Sequence, residues 1–118
     1  KLYNILEEHG ISPTLAGHAG NGNFHIIPLM DLAKKSEREK IPVVSEKVYD
    51  LVLEYGGSIT AEHNDGLIRS AYLEKMYGSE IFELFKKVKQ IFDPQNIFNP
   101  GKKVGADLDY AMRHIKTK

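Results

Sequence analysis

Hydrophobic positions recur along the chain in two rhythms, one helical and one strand-like, and the switches between them mark out the elements. Leu2, Ile5 and Leu6 fall at helical spacing over residues 1–9, and Gly10 supplies the stop. After Pro13, "TLAGHAG" reads as a short extended segment ending in a glycine-rich turn. "NFHIIPL" follows as a strand. Phe24, Ile26 and, beyond Pro28, Met30 share one parity, while His25, Ile27 and Leu29 share the other. Both parities are apolar, so this strand is expected to be covered on both faces.

Asp31 is placed to cap the next segment, and Pro42 suits the first turn of a helix in which Val44, Val48, Leu51, Val52 and Tyr55 form one stripe. Gly56-Gly57 ends it. "SITAEH" predicts a short strand leading into the turn "NDG", and Leu67, Ile68, Ala71 and Tyr72 predict a short helix. Ser79 opens a longer helix, whose stripe of Ile81, Phe82, Phe85, Val88 and Phe92 is expected to be core. Asp93-Pro94 stops it, "QNIFNPGK" is a loop, and the tail from Ala106 forms a last frayed helix. The fold class is therefore α+β, a partial antiparallel sheet flanked by helices. Its strands are too few and too short to close a sheet alone, and Lys1 stands where a natural start would place Met. The expectation is that residues 1–118 are one portion of a longer protein.

Composition narrows the function classes. The hydrophobic fraction of 42% supports a real core, and 27% charge is ordinary for a surface. Lys+Arg and Asp+Glu both number 16, so no net field draws nucleic acid or an anionic membrane. No run approaches the ~18 apolar residues of a membrane span. Cysteine is absent, which excludes disulfides, thiolate zinc sites and iron–sulfur ligation by this chain.

The candidate chemistry sits in "GHAGNGNFH", Gly17 to His25. His18 and His25 are too far apart for a helical i, i+4 ligand pair. The glycines and asparagines between them let the chain leave one strand, turn sharply and return, bringing both imidazoles to one side. Two neutral imidazoles suit a divalent metal, commonly zinc, and need a third ligand such as a carboxylate. Glu62, beside His63 at the end of the second predicted strand segment, is the candidate. The competing reading is a turn plus a hydrogen-bonded core histidine. His9 and His114 are expected on solvated helix surfaces, and Arg69 suits either a substrate carboxylate or a surface ion pair.

Three stretches, "GHAGNGNFH", "GGSITAEHNDGLIR" and "IFDPQNIFNPGK", stand in an order and spacing that resemble the C-terminal part of FAD-linked oxidases of the vanillyl-alcohol-oxidase type. The relatives of that type are D-lactate dehydrogenase, the glycolate oxidase FAD subunit and D-2-hydroxyglutarate dehydrogenase. The resemblance runs from Gly17 to Lys103, and "EHNDGLIRS" is most similar to large proteins that fuse the flavoprotein to an iron–sulfur module. It implies that residues 1–118 are the C-terminal portion of a substrate-side cap domain whose FAD-binding domain lies elsewhere in the same protein. It further implies that His18, His25 and Glu62 bind a divalent metal, zinc in this reading. His63 is then the general base on the substrate hydroxyl and Asn99 a residue near the flavin, while Arg69 stands, on its residue type alone, as the candidate for the substrate carboxylate. Adjacent residues on a strand point to opposite sides, so Glu62 and His63 are expected to face apart.

The implied activity is oxidation of a small D-2-hydroxy acid of the lactate or glycolate type to the 2-keto acid, with an iron–sulfur electron acceptor as a further partner. The implied location is cytoplasmic, with any membrane contact made through partners. Two departures bear on this. Asn21 stands where many relatives have Asp, and Ile27 stands where D-2-hydroxyglutarate dehydrogenases place a substrate-contacting Asn, which argues against that substrate. The alternatives are a stand-alone metal-binding module without redox activity and a non-redox flavoprotein of the same type.

Overall fold

A computed structural model describes residues 1–117 as two compact units, the first of Lys1–Gly57 together with residues 116–117 and the second of Ser58–Ile115. The first unit contains helix α1 (Leu2–Glu8), strands β1 (Ser12–His18) and β2 (Asn23–Leu29), and helix α2 (Lys35–Glu54). The second contains α3 (Gly66–Arg69), α4 (Leu73–Phe92) and α5 (Leu108–Arg113), joined by turns and long loops. The α+β class holds, with one two-stranded antiparallel sheet among the described residues.

In the first unit, β1 and β2 pair from Ser12↔Leu29 through Ala16↔His25 to His18↔Asn23. Residues directly opposite in an antiparallel pair share a face. One face therefore carries Leu15, Phe24 and Ile26, and the other carries Thr14, Ala16 and His18 with Asn23, His25, Ile27 and Leu29. Leu6, Ile11, Val44 and Val48 form the buried core, and Ile26 and Met30 pack against it. The helical stripe of α2 thus buries Val44 and Val48 against Leu6 and Ile11, with Ile26 the hairpin residue packed beside them, while Phe24 on the same hairpin face stays exposed. The other face differs from expectation. Ile27 and Leu29 are 49% and 64% exposed, because nothing in this unit covers that side.

Helix α2 begins at Lys35, so Pro42 lies in its interior rather than in its first turn. The proline withholds a donor from the Arg38 carbonyl, and the Arg38 guanidinium ties down the entry loop by donating to the carbonyls of Leu32 (2.7 Å) and Ala33 (2.9 Å).

The second unit is built around Ile59, Tyr72, Leu73 and Ala111, all buried. "SITAEH" forms no strand; Ile59–His63 is a bend and turn. Helix α4 breaks at Gly78 (φ 78°, ψ 159°), so its long arm starts at Ser79 as the sequence pattern requires. The expected core stripe of that arm is largely uncovered. Phe92 is 80% and Val88 54% exposed, while Phe82 and Phe85 are half-buried. An apolar face of this size on a helix normally marks a surface that another element covers. His9 and His114 lie on helix ends, half-buried and exposed, and each ring Nδ1–H donates to a carbonyl one turn earlier, that of Ile5 at 2.8 Å and that of Tyr110 at 2.7 Å.

Candidate functional site

Register decides the placement of the two histidines. His18 opposes Asn23, and His25 lies two residues further along the same face of β2, so the imidazoles are diagonal neighbours. Their ring centroids are 6.0 Å apart at an interplanar angle of 81°. A ligand nitrogen from each comes within 4.8 Å of the other. His18 is exposed and His25 half-buried, both on the face opposite the core.

The turn between them explains the small residues. Ala19–Asn21 forms a single 3-10 turn, and Gly22 follows in the left-handed region at φ 65° and ψ 18°. Gly17 has a stricter duty. A Cβ there would stand 2.2 Å from the Asn23 carbonyl oxygen and 2.9 Å from Phe24 Cα, both backbone atoms. Only glycine lets the strands approach this closely beside His18.

In the second unit, Glu62 and His63 do not face apart. Ala61 and Asn64 hold positive φ of 42° and 60°, which bends the chain instead of extending it. The strand alternation expected from the sequence is lost, and His63 Nε2 lies 3.2 Å from Glu62 Oε1. Both side chains remain about half exposed. Arg69, at the end of α3, donates to the Asn64 carbonyl at 2.9 Å and so braces the same turn.

Asn99 belongs to a loop shaped by Asp93. The Asp93 carboxylate, buried at the end of α4, accepts from the Ile97 N–H at 2.8 Å and the Phe98 N–H at 2.9 Å. Lys89, one helical turn earlier, pairs with Asp93 and donates to the Phe98 carbonyl at 2.6 Å. The Lys89 hydrogen bond, with those two N–H groups, holds the Asp93 carboxyl below the usual carboxylate range. Asn99 itself sits at φ 47°. Within this unit, Asn99, Asn64, Asp65, Phe85, Phe98 and Lys103 help line a cavity of about 680 Å³.

The structure therefore brings His18 and His25 together in the first unit and Glu62 and His63 together in the second, and sets Asn99 on a braced loop. Sequence reasoning missed two groups. Asp93 read only as a helix stop, although an Asp one turn after Lys and just before Pro is placed to bind both the Lys and the following N–H groups. Asp65 read only as part of a turn, yet it is 2% exposed and pairs with Lys103.

Residues 1–103 match the family described as FAD linked oxidases, C-terminal domain, and the chain belongs to that family. It is 36% identical over 106 residues to the glycolate oxidase subunit GlcD of Bacillus subtilis, covering 90% of this chain and 23% of that protein. It is 40% identical over 101 residues to a D-lactate dehydrogenase of Archaeoglobus fulgidus, covering 85% of this chain and 22% of that protein. It is also 35% identical over 98 residues to the D-2-hydroxyglutarate dehydrogenase of Haemophilus influenzae, covering 83% of this chain and 9% of that protein. The chain thus spans less than a quarter of the length of these relatives. No solved structure matches it. Among the described residues no helix is long and apolar enough to cross a membrane.

Proposed function

We propose that the chain is the C-terminal, substrate-side portion of an FAD-dependent dehydrogenase that oxidises a small D-2-hydroxy acid of the lactate or glycolate type to the 2-keto acid. The observation that carries this reading is family membership joined to the diagonal His18–His25 pair on the hairpin face opposite the first unit's core. The flavin-binding domain of the same protein supplies the remaining wall of the site, and the bare apolar arm of α4 is consistent with such a neighbour. An iron–sulfur centre is the proposed electron acceptor.

The donor set fits a divalent cation, zinc in this reading: two imidazoles from His18 and His25, with the Glu62 carboxylate as third ligand. Glu62 is a carboxylate, the hard anionic oxygen donor that completes such a set, and its Oε1 also contacts His63. When bound, the cation supplies Lewis acidity and FAD supplies the redox chemistry. His63 takes the proton of the substrate's 2-hydroxyl, as imidazole exchanges protons near neutral pH. Glu62, 3.2 Å away, orients that imidazole and offsets its charge once protonated. Arg69 retains guanidinium donors beyond the one given to Asn64, and these hold the substrate carboxylate. Asn99 faces the flavin from its braced loop.

Ile27 shares the histidine face of β2 and is 49% exposed there. An apolar side chain beside the ligands favours a short substrate with a methyl group or hydrogen at its far end over one with a second carboxylate.

The test is flavin reduction in the native protein under anaerobic conditions with D-lactate, glycolate and D-2-hydroxyglutarate, alongside metal analysis. Bleaching of the flavin by the two shorter acids, lost with the metal in His18→Ala and His25→Ala, is the expected result. No reduction by any 2-hydroxy acid would overturn the reading.

A further inference from the structure

We propose that Lys103 is a positioning residue that locks the Glu62–His63 turn to the loop carrying Asn99. The proposal rests on the assignment of His63 as the base, but its structural part can be tested separately. The turn is one that local preference does not hold. Ala61, Asn64 and Gly66 all have positive φ, at 42°, 60° and 55°, and two of them carry side chains. A bond from outside must therefore maintain it.

Lys103 makes those bonds. Its ammonium donates to Asn64 Oδ1 at 2.8 Å and pairs with Asp65 Oδ2, while its backbone N–H donates to Ser70 Oγ at 2.8 Å. One residue thus grips the turn through its side chain and the segment after α3 through its backbone. Lys103 holds a positive φ of 61° itself, so its own loop is set in a specific shape to reach them.

Asp65 makes the grip matter. Its side chain is 1% exposed, and Oδ1 has no hydrogen-bond partner among the described residues. A buried carboxylate needs a counter-charge, and Lys103 is the cation paired with it. Asp65 lies two residues after His63, and Lys103 lies four after Asn99. The ion pair consequently fixes the distance between the base and the flavin-facing loop, although neither Asp65 nor Lys103 need touch substrate.

The experiment uses the native holoenzyme with Lys103→Met, Lys103→Arg and the shape-conserving Asp65→Asn, reading hydrogen–deuterium exchange and steady-state 2-hydroxy-acid oxidation. Lys103→Met and Asp65→Asn should exchange about tenfold faster in peptides covering residues 59–69, with the hairpin over 12–29 unchanged. Turnover in Lys103→Met should fall by roughly 10²-fold, the scale of a misplacement of about 1 Å, with KM within about twofold. Lys103→Arg should recover most of the turnover, because it restores the charge. Unchanged exchange over 59–69 would overturn the proposal, as would a rise spread across the whole chain or equal losses in the Met and Arg variants. A native protein that oxidises no 2-hydroxy acid would refute the role of His63 instead, and the exchange data would still decide whether the lock exists.

Discussion

Replacing Gly17 with Ala perturbs the hairpin at the point where the histidine pair is set. The added methyl would meet the Asn23 carbonyl oxygen at 2.2 Å and Phe24 Cα at 2.9 Å, and neither backbone atom can yield without moving β2. Overpacking of this kind costs about 1–3 kcal/mol. Gly17 also has φ of 152°, which an alanine adopts at a further cost of roughly 1–3 kcal/mol. The total of about 2–6 kcal/mol is a large part of the ~5–15 kcal/mol that holds an ordinary domain folded. The strain is relieved most easily by opening the His18↔Asn23 end of the ladder, which separates the imidazoles. Gly20→Ala is the control, since a Cβ there meets nothing within 4 Å and its φ is not positive. That change should stay within about 0.5 kcal/mol. Urea denaturation gives the stability difference, and calorimetric zinc titration reads the geometry of the pair. Gly17→Ala should lose both stability and zinc affinity, and Gly20→Ala neither. If the two variants melt together and bind zinc alike, the close-approach argument is refuted.

Glu62 and His63 are neighbours with opposite expected signatures. His63→Ala should keep the metal while turnover falls by roughly 10²–10⁴-fold, the range for a positioned acid–base group. Glu62→Ala should lower metal content and activity together; the reverse pattern in elemental analysis would exchange their roles. Asp93 gives a pH dependence with a definite sign. Its carboxyl is held low in the folded chain by Lys89 and the Ile97 and Phe98 N–H groups, so its stabilisation is fully present above the unfolded value of about 3.9 and is lost as pH falls through the lower folded value. Thermal melts from pH 7 to pH 2 should show the native chain above Asp93→Asn at neutral pH, with the gap closing below about pH 4. A gap constant across that range would remove Asp93 from the account of the loop.

Much of this protein follows from patterns only a few residues long. Leu2–Leu6 and Val44–Val52 declare helices, glycines at 17 and 22 permit a tight return between two strands, and Ser79 restarts a helix after Gly78. The order and spacing of three motifs likewise mark the family without any tertiary information. Such features depend on backbone sterics and side-chain period, which act within a turn or two. Long-range pairing determined the rest. Whether His18 and His25 share a face depends on the register Ala16↔His25, and a slip of one residue would part them. The bend at Glu62–His63 overrode a strand-like sequence because bonds from Lys103 and Arg69 hold Asn64 and Asp65 in a turn. Pro42 entered the interior of α2, and the Phe92 stripe stayed bare, since burial depends on which surfaces meet rather than on how apolar a segment is. Sequence period specifies which side of an element is apolar, but only contacts between distant residues decide what lies against it.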